Sequence, residues 1–157
     1  MDTQSMASLV LDDATRLALT AAGAFLLVGL LTGVWKYWQI AHSAEAQAHP
    51  YVDIAHRASL LYSFASLVLA ALAWFSVWSD AVNTVAVAAS VLFFALAIGS
   101  YVLHGWLADT DNQLRAPHTL GSGTVSGLAV HGFMVALIIA EVGGAAVLFA
   151  GAMRAIW

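Results

Sequence analysis

Six histidines and no cysteine occur in this chain, and imidazole is the commonest metal ligand at neutral pH. His42, His49, His56, His104, His118 and His131, without any thiolate, point to haem or to a centre of histidine and carboxylate. The missing cysteines remove disulfides, iron-sulfur clusters and thiol nucleophiles together. A single histidine near a helix end is by default an interfacial hydrogen-bonding group, so depth has to select among the six. At ~1.5 Å of rise per residue, His56 and His104 each fall about 6 Å inside their helix ends and His131 roughly 14 Å inside. His56 and His104 are therefore level, and His131 is deeper.

Other side chains could serve such a centre. Tyr101 and His104 are three apart and share a helical face, so a phenol and an imidazole project together. His56, Ser59, Ser63 and Ser66 form a polar stripe, with Tyr62 beside it, although serines can also bond back to their own helix. Tyr101 and Tyr62 are the candidate catalytic groups. Arg57, Arg115 and His118 are the candidates to meet anionic groups of a bound cofactor. Glu141 is the one carboxylate inside an apolar run, and its expected role is a structural hydrogen bond between subunits. Asp109 to Asn112 lacks the glycine and distal glutamate of a calcium loop, and is expected to be a solvated helix exit closing over a cavity. No Ser-His-Asp order, phosphate-cradling glycine loop or HExxH zinc motif is present.

The elements that position these groups follow from composition. Of 157 residues, 62% are hydrophobic and 9% charged, whereas a soluble domain carries roughly 25% charged residues. The charges separate four uncharged or nearly uncharged runs, Leu17 to Trp35, Ala58 to Ser79, Ala81 to Ala108, and Thr119 to Met153, the last broken only by Glu141. A bilayer needs about 20 such residues in a helix. The expectation is an all-α integral membrane protein, a four-transmembrane-helix bundle forming a single membrane domain over 1–157. Its spans are expected near 15–39, 54–79, 81–107 and 120–153. The acidic start, Met1 to Asp13, has no positive n-region, so the first span reads as a retained helix.

Four spans place both termini on one side and all six histidines in the opposite half. Trp35, Tyr37, Trp38, Tyr51 and Trp106 mark an interfacial aromatic belt there. Lys36, Arg57 and Arg115 against Arg16 and Arg154 leave the orientation open. Five basic residues in a net charge of -4 make no polybasic arm, so nucleic acid is not an expected partner. Gly29-x-x-x-Gly33, and Gly132, Ala136, Ala140 and Gly144, are small-residue faces for close helix contact. The fourth span is read as buried or subunit-facing.

In these motifs the chain resembles the styrene oxide isomerases, four-span membrane haem b proteins that convert epoxides to aldehydes. The likeness lies in Gly33-Val34-Trp35 closing span one, Ala55-His56 heading span two, Gly99-Ser100-Tyr101-Val102-Leu103 in span three, the loop Asp109 to Asn112, and the small residues from Gly127 to Gly151. Tyr62 stands where the family has an amide in span two, and Ala97 where it has another Asn. The resemblance implies haem b on His56, a Lewis-acid opening of a lipophilic aryl epoxide, a 1,2-hydride shift, and Tyr101 orienting the substrate. It also implies a homo-oligomer, a trimer, in a multi-pass setting such as a bacterial inner membrane. Two other readings stay open: a non-catalytic bis-histidine haem electron carrier using His56 and His104, and a haem-free small membrane subunit of a larger complex.

Overall fold

A computed structural model describes residues 11–157, and most of the acidic start read above lies outside them. Helices α1 (Asp13–His42), α2 (Pro50–Phe75) and α3 (Asp80–Leu107) are followed by a short hairpin, β1 (Thr119–Leu120) and β2 (Gly123–Thr124), and by helix α4 (Gly127–Ile156). Each of the four helices is long and apolar enough to cross a membrane.

The helix ends follow local chemistry. Asp12 caps α1, its carboxylate accepting the Thr15 N–H at 2.6 Å. Pro50 opens α2 four residues before the expected start. At the first helical position proline gives up no needed N–H, and His49 Nδ1 accepts the Tyr51 N–H at 3.3 Å. Helix α2 stops at Phe75 rather than Ser79, because residues 76–79 make the turn and Ser79 caps α3 through the Val82 N–H. The largest revision concerns span four, which begins at Gly127 and not near 120. Gly121, with φ +59°, turns the chain into the β1–β2 hairpin.

That shift changes the depth reading. His131 lies four residues into α4, which is about 6 Å at ~1.5 Å per residue. By the same count His56 is six residues into α2, about 9 Å, and His104 three from the end of α3, about 4.5 Å, so His131 falls between them and is not the deepest. Because the helices alternate in direction, the end of α1, the start of α2, the end of α3 and the start of α4 share one side of the bundle, and all six histidines lie there.

Helices α1 and α2 pack most closely. Gly29 lies under Leu60 and Gly33 under the His56 ring, so the Gly29/Gly33 face is spent inside the chain. Ser63 Oγ donates to the Ala22 carbonyl of α1 at 2.8 Å. Phe25, Phe94 and Tyr62 fill the middle, with Tyr62 stacked on Phe94 at 4.2 Å and Phe25 edge-on to it at 6.5 Å.

Helix α4 is held most firmly at one end. Its buried residues are Gly144, Leu148, Gly151 and Ala152, all in its second half. A Cβ on Gly144 would come within 2.6 Å of the Ala86 carbonyl oxygen. The α2–α3 turn grips the same end: Trp78 Nε1 donates to the Val147 carbonyl at 2.9 Å, and the Arg154 guanidinium lies 4.8 Å over the indole. Of the two readings of the fourth span, burial within the chain is corrected, and the subunit-facing alternative stands. The small-residue ladder splits, since Gly144 packs on α3, Ala136 and Ala140 line an open groove beside it, and Gly132 has nothing within 4 Å.

Candidate functional site

His56 is held from the side. Its Nδ1 lies 2.7 Å from the Gly29 carbonyl oxygen of α1. A carbonyl only accepts, so Nδ1 carries the hydrogen and Nε2 of the neutral ring keeps a free lone pair. The ring occupies the space a side chain at residue 33 would need: a Cβ there would sit 2.8 Å from Cε1 and 3.0 Å from Nδ1. The glycine of Gly33-Val34-Trp35 and the histidine of Ala55-His56 are therefore one contact. Metal-ligating histidines are oriented in this way, with the second ring nitrogen donating to a carbonyl or carboxylate.

The tyrosines lie elsewhere on α2 and α3. At ~100° per residue, Tyr51 and Tyr62 are separated by about 20° around α2, while His56 stands about 140° from Tyr51. Tyr51 and Tyr62 face α3: Tyr101 stacks on Tyr51 at 6.0 Å, and Tyr62 on Phe94. His56 faces α1. Tyr51, read above as part of the aromatic belt, is 4% exposed and accepts the Gln113 N–H on its hydroxyl at 2.5 Å. The exposed members of the belt are Tyr37, Trp38 and Trp106.

His104 is buried and packs 5.1 Å from the Tyr51 ring, donating from Nδ1 to Asp109 Oδ1 at 2.8 Å. The other Asp109 oxygen accepts the Gly121 N–H at 2.6 Å, tying the hairpin to the end of α3. Burial raises the Asp109 pKa, but the hydrogen bonds from His104 and Gly121 outweigh it and hold the carboxyl below the usual carboxylate range. The expected solvated helix exit is therefore corrected at Asp109, whose side chain is 4% exposed. Left-handed Ala108, φ 49°, bends the chain back so that this carboxylate returns to its own helix. A cavity does lie nearby, lined by Ser100, His104, Gln113, His118, Val130 and Phe133 among others, but the residues that close it come from 113–125 and not from Asp109 to Asn112.

The remaining candidates are dispersed. Arg57, next to His56, pairs with Asp53 at 2.8 Å, whose other oxygen holds Lys36. Arg115 pairs with Asp111 at 3.0 Å on the exposed side of the connection. His118 Nδ1 bonds the Gln113 carbonyl at 3.0 Å, and its ring meets His131 edge-on at 5.7 Å. Ser59 and Ser66 bond back to the carbonyls of Ala55 and Tyr62 on their own helix, and only Ser63 crosses to another. Glu141, at the midpoint of α4, has one buried carboxyl oxygen without a hydrogen-bond partner. Among the described residues no three His, Cys, Asp or Glu side chains come together as a ligand set for a metal ion. A porphyrin iron asks the protein for only one or two axial ligands, so this bears on a His/carboxylate centre.

Comparison with family models, with curated proteins and with solved structures gives no match.

Proposed function

We propose that this chain is a membrane haem b protein that isomerises a lipophilic aryl epoxide to an aldehyde, with His56 as the iron ligand. The observation that carries the reading is the His56 ring, fixed by the Gly29 carbonyl through Nδ1 and given its room by Gly33. This leaves Nε2 as a basic, pre-oriented donor. Haem b bound there supplies a Lewis-acidic iron for opening the epoxide C–O bond, and a 1,2-hydride shift completes a redox-neutral reaction.

The chain's own groups have separate tasks. Arg57, exposed beyond its pair with Asp53, offers a cation beside His56 for a carboxylate of the macrocycle. Tyr101 and Tyr62 face away from His56 within one chain. The reading therefore calls for a homo-oligomer, a trimer by the family resemblance, in which the tyrosine face of one copy meets the His56 face of the next. Neither hollow, of about 250 Å³ beneath the hairpin or about 790 Å³ between α3 and α4, includes His56. A second copy would also enclose the macrocycle. Within such an assembly the Tyr101 phenol orients the substrate and hydrogen-bonds its developing alkoxide. The bis-histidine carrier is less favoured, because His104 is engaged by Asp109 and packs on Tyr51, on the side of α2 turned from His56.

The test is an absorption spectrum of the detergent-solubilised protein after expression with ample haem, followed by turnover of an aryl epoxide. A Soret band should be present, lost in His56→Ala and retained in His42→Ala and His49→Ala. Tyr101→Phe should keep haem and lose most turnover. No Soret band would remove both haem readings and leave a haem-free membrane subunit; a low-spin bis-histidine spectrum without turnover would select the carrier.

A further inference from the structure

The hollow beneath the hairpin takes no part in the His56 reading, and its polar groups are already set in place. Ser100 Oγ lies 3.4 Å from Gln113 Oε1, the Gln113 carbonyl accepts His118 Nδ1–H at 3.0 Å, and His104 stands one helical turn beyond Ser100. The partners of both imidazoles, the Asp109 carboxylate and the Gln113 carbonyl, can only accept. In each neutral ring the hydrogen is therefore on Nδ1, and Nε2 is a bare acceptor. The Ser100 hydroxyl hydrogen is directed at the Ala97 carbonyl, 3.0 Å away. Two imidazoles that line one cavity thus each keep an acceptor in the neutral form, and the Gln113 side-chain amide is the donor in the same lining.

The rest of the lining selects the ligand. Leu103, Val130, Phe133 and Met134 make the walls apolar, and about 250 Å³ accommodates a single-ring molecule. A cation lacks a free carboxylate, because both Asp109 oxygens are engaged by His104 and Gly121. A metal ion lacks a third His, Cys, Asp or Glu ligand among the described residues. What remains is a neutral hydroxyl on an apolar body. Its α4 wall is the thin one toward the bilayer, because no residue of α4 before Gly144 is buried.

We propose that this hairpin-roofed cavity binds an uncharged lipophilic alcohol or phenol of about one ring, its hydroxyl donating to Nε2 of His104 or His118. The site is separate from His56 and does not depend on haem being bound.

The experiment uses the full chain in nanodiscs with ¹⁵N-labelled histidine, the signals of His104 and His118 being assigned by His104→Gln and His118→Gln. It is titrated with 4-propylphenol and with its isomer 4-ethylanisole, which has the same composition and no donor. The phenol should shift the His104 and His118 imidazole signals saturably and leave those of His42 and His49 in place. The anisole should bind about tenfold more weakly, the worth of roughly one hydrogen bond. Ala129→Trp, which fills the cavity from α4, should abolish the shifts, while Gly132→Trp, outside the lining, should retain them. If Ala129→Trp does not fold, Val130→Phe reduces the same space. Equal titration by the two isomers, shifts spread over all six histidines, or unchanged binding in the filled variant would each overturn the proposal.

Discussion

Gly33→Ala is the sharpest test of how His56 is held. The added methyl would lie 2.8 Å from Cε1 and 3.0 Å from Nδ1 of the ring, closer than van der Waals contact permits, so the ring has to shift. The shift stretches the 2.7 Å bond from Nδ1 to the Gly29 carbonyl, worth about 1 kcal/mol net. Crowding of this kind costs about 1–3 kcal/mol, and alanine in place of glycine returns roughly 0.5–1 kcal/mol of helix propensity. The balance is about 1–3 kcal/mol against the oriented ring. If His56 carries iron, that is a loss of affinity between about fivefold and a hundredfold. Haem occupancy should be read from the Soret absorbance per protein across a haem titration, with Gly23→Ala as control, because Gly23 has nothing within 4 Å of its Cβ position. If Gly33→Ala binds haem with unchanged affinity and spectrum, the seated His56 ring is not the iron ligand.

Three further outcomes follow from the packing. Asp109 has a folded pKa below its ordinary value, so its contribution is present above the unfolded carboxylate pKa of about 3.9 and is lost as the pH falls through the lower folded value. Exchange of the Gly121 amide should therefore stay slow on acidification until below about pH 4, and Asp109→Asn should speed tryptic cleavage after exposed Arg115 at neutral pH by at least about tenfold. Gly144→Ala should force α3 and α4 apart and destabilise the chain by about 1–3 kcal/mol in a detergent unfolding titration, whereas Gly143→Ala, with nothing within 4 Å, should be neutral or mildly stabilising. Gly132→Leu, at a position where an added Cβ has nothing within 4 Å, should reduce the mass of the detergent complex if this face joins copies; an unchanged mass places the contact elsewhere.

The four helices were legible because the charges fall between runs long enough for a bilayer, and that signal survives errors at the ends. It failed between Thr119 and Ser126, where the chain stays uncharged but a left-handed Gly121 starts a hairpin. The depth of His131 was misread as a direct consequence. His56 was legible as a histidine heading a helix, whereas its partner was not, because a backbone carbonyl has no letter of its own. Gly33 was read as a helix-contact residue, and the group it makes room for is an imidazole. The His104–Asp109 pair spans a helix end, where five residues of separation say nothing until Ala108 bends the chain back. Tyr51 carried the ordinary signature of an interfacial aromatic, and only the fold shows its hydroxyl satisfying the Gln113 amide.

The uneven fastening of α4 has a consequence for how this molecule can evolve. Gly144, Gly151 and the Trp78 indole hold the helix at the end remote from every histidine, so changes there are paid for in folding. At the other end, Leu128, Ala129, Gly132 and Val135 are exposed on the same helix, and replacing them alters what the protein meets without disturbing what keeps it folded. Ligand preference can drift at the histidine end while selection for a stable bundle acts mainly on the far one.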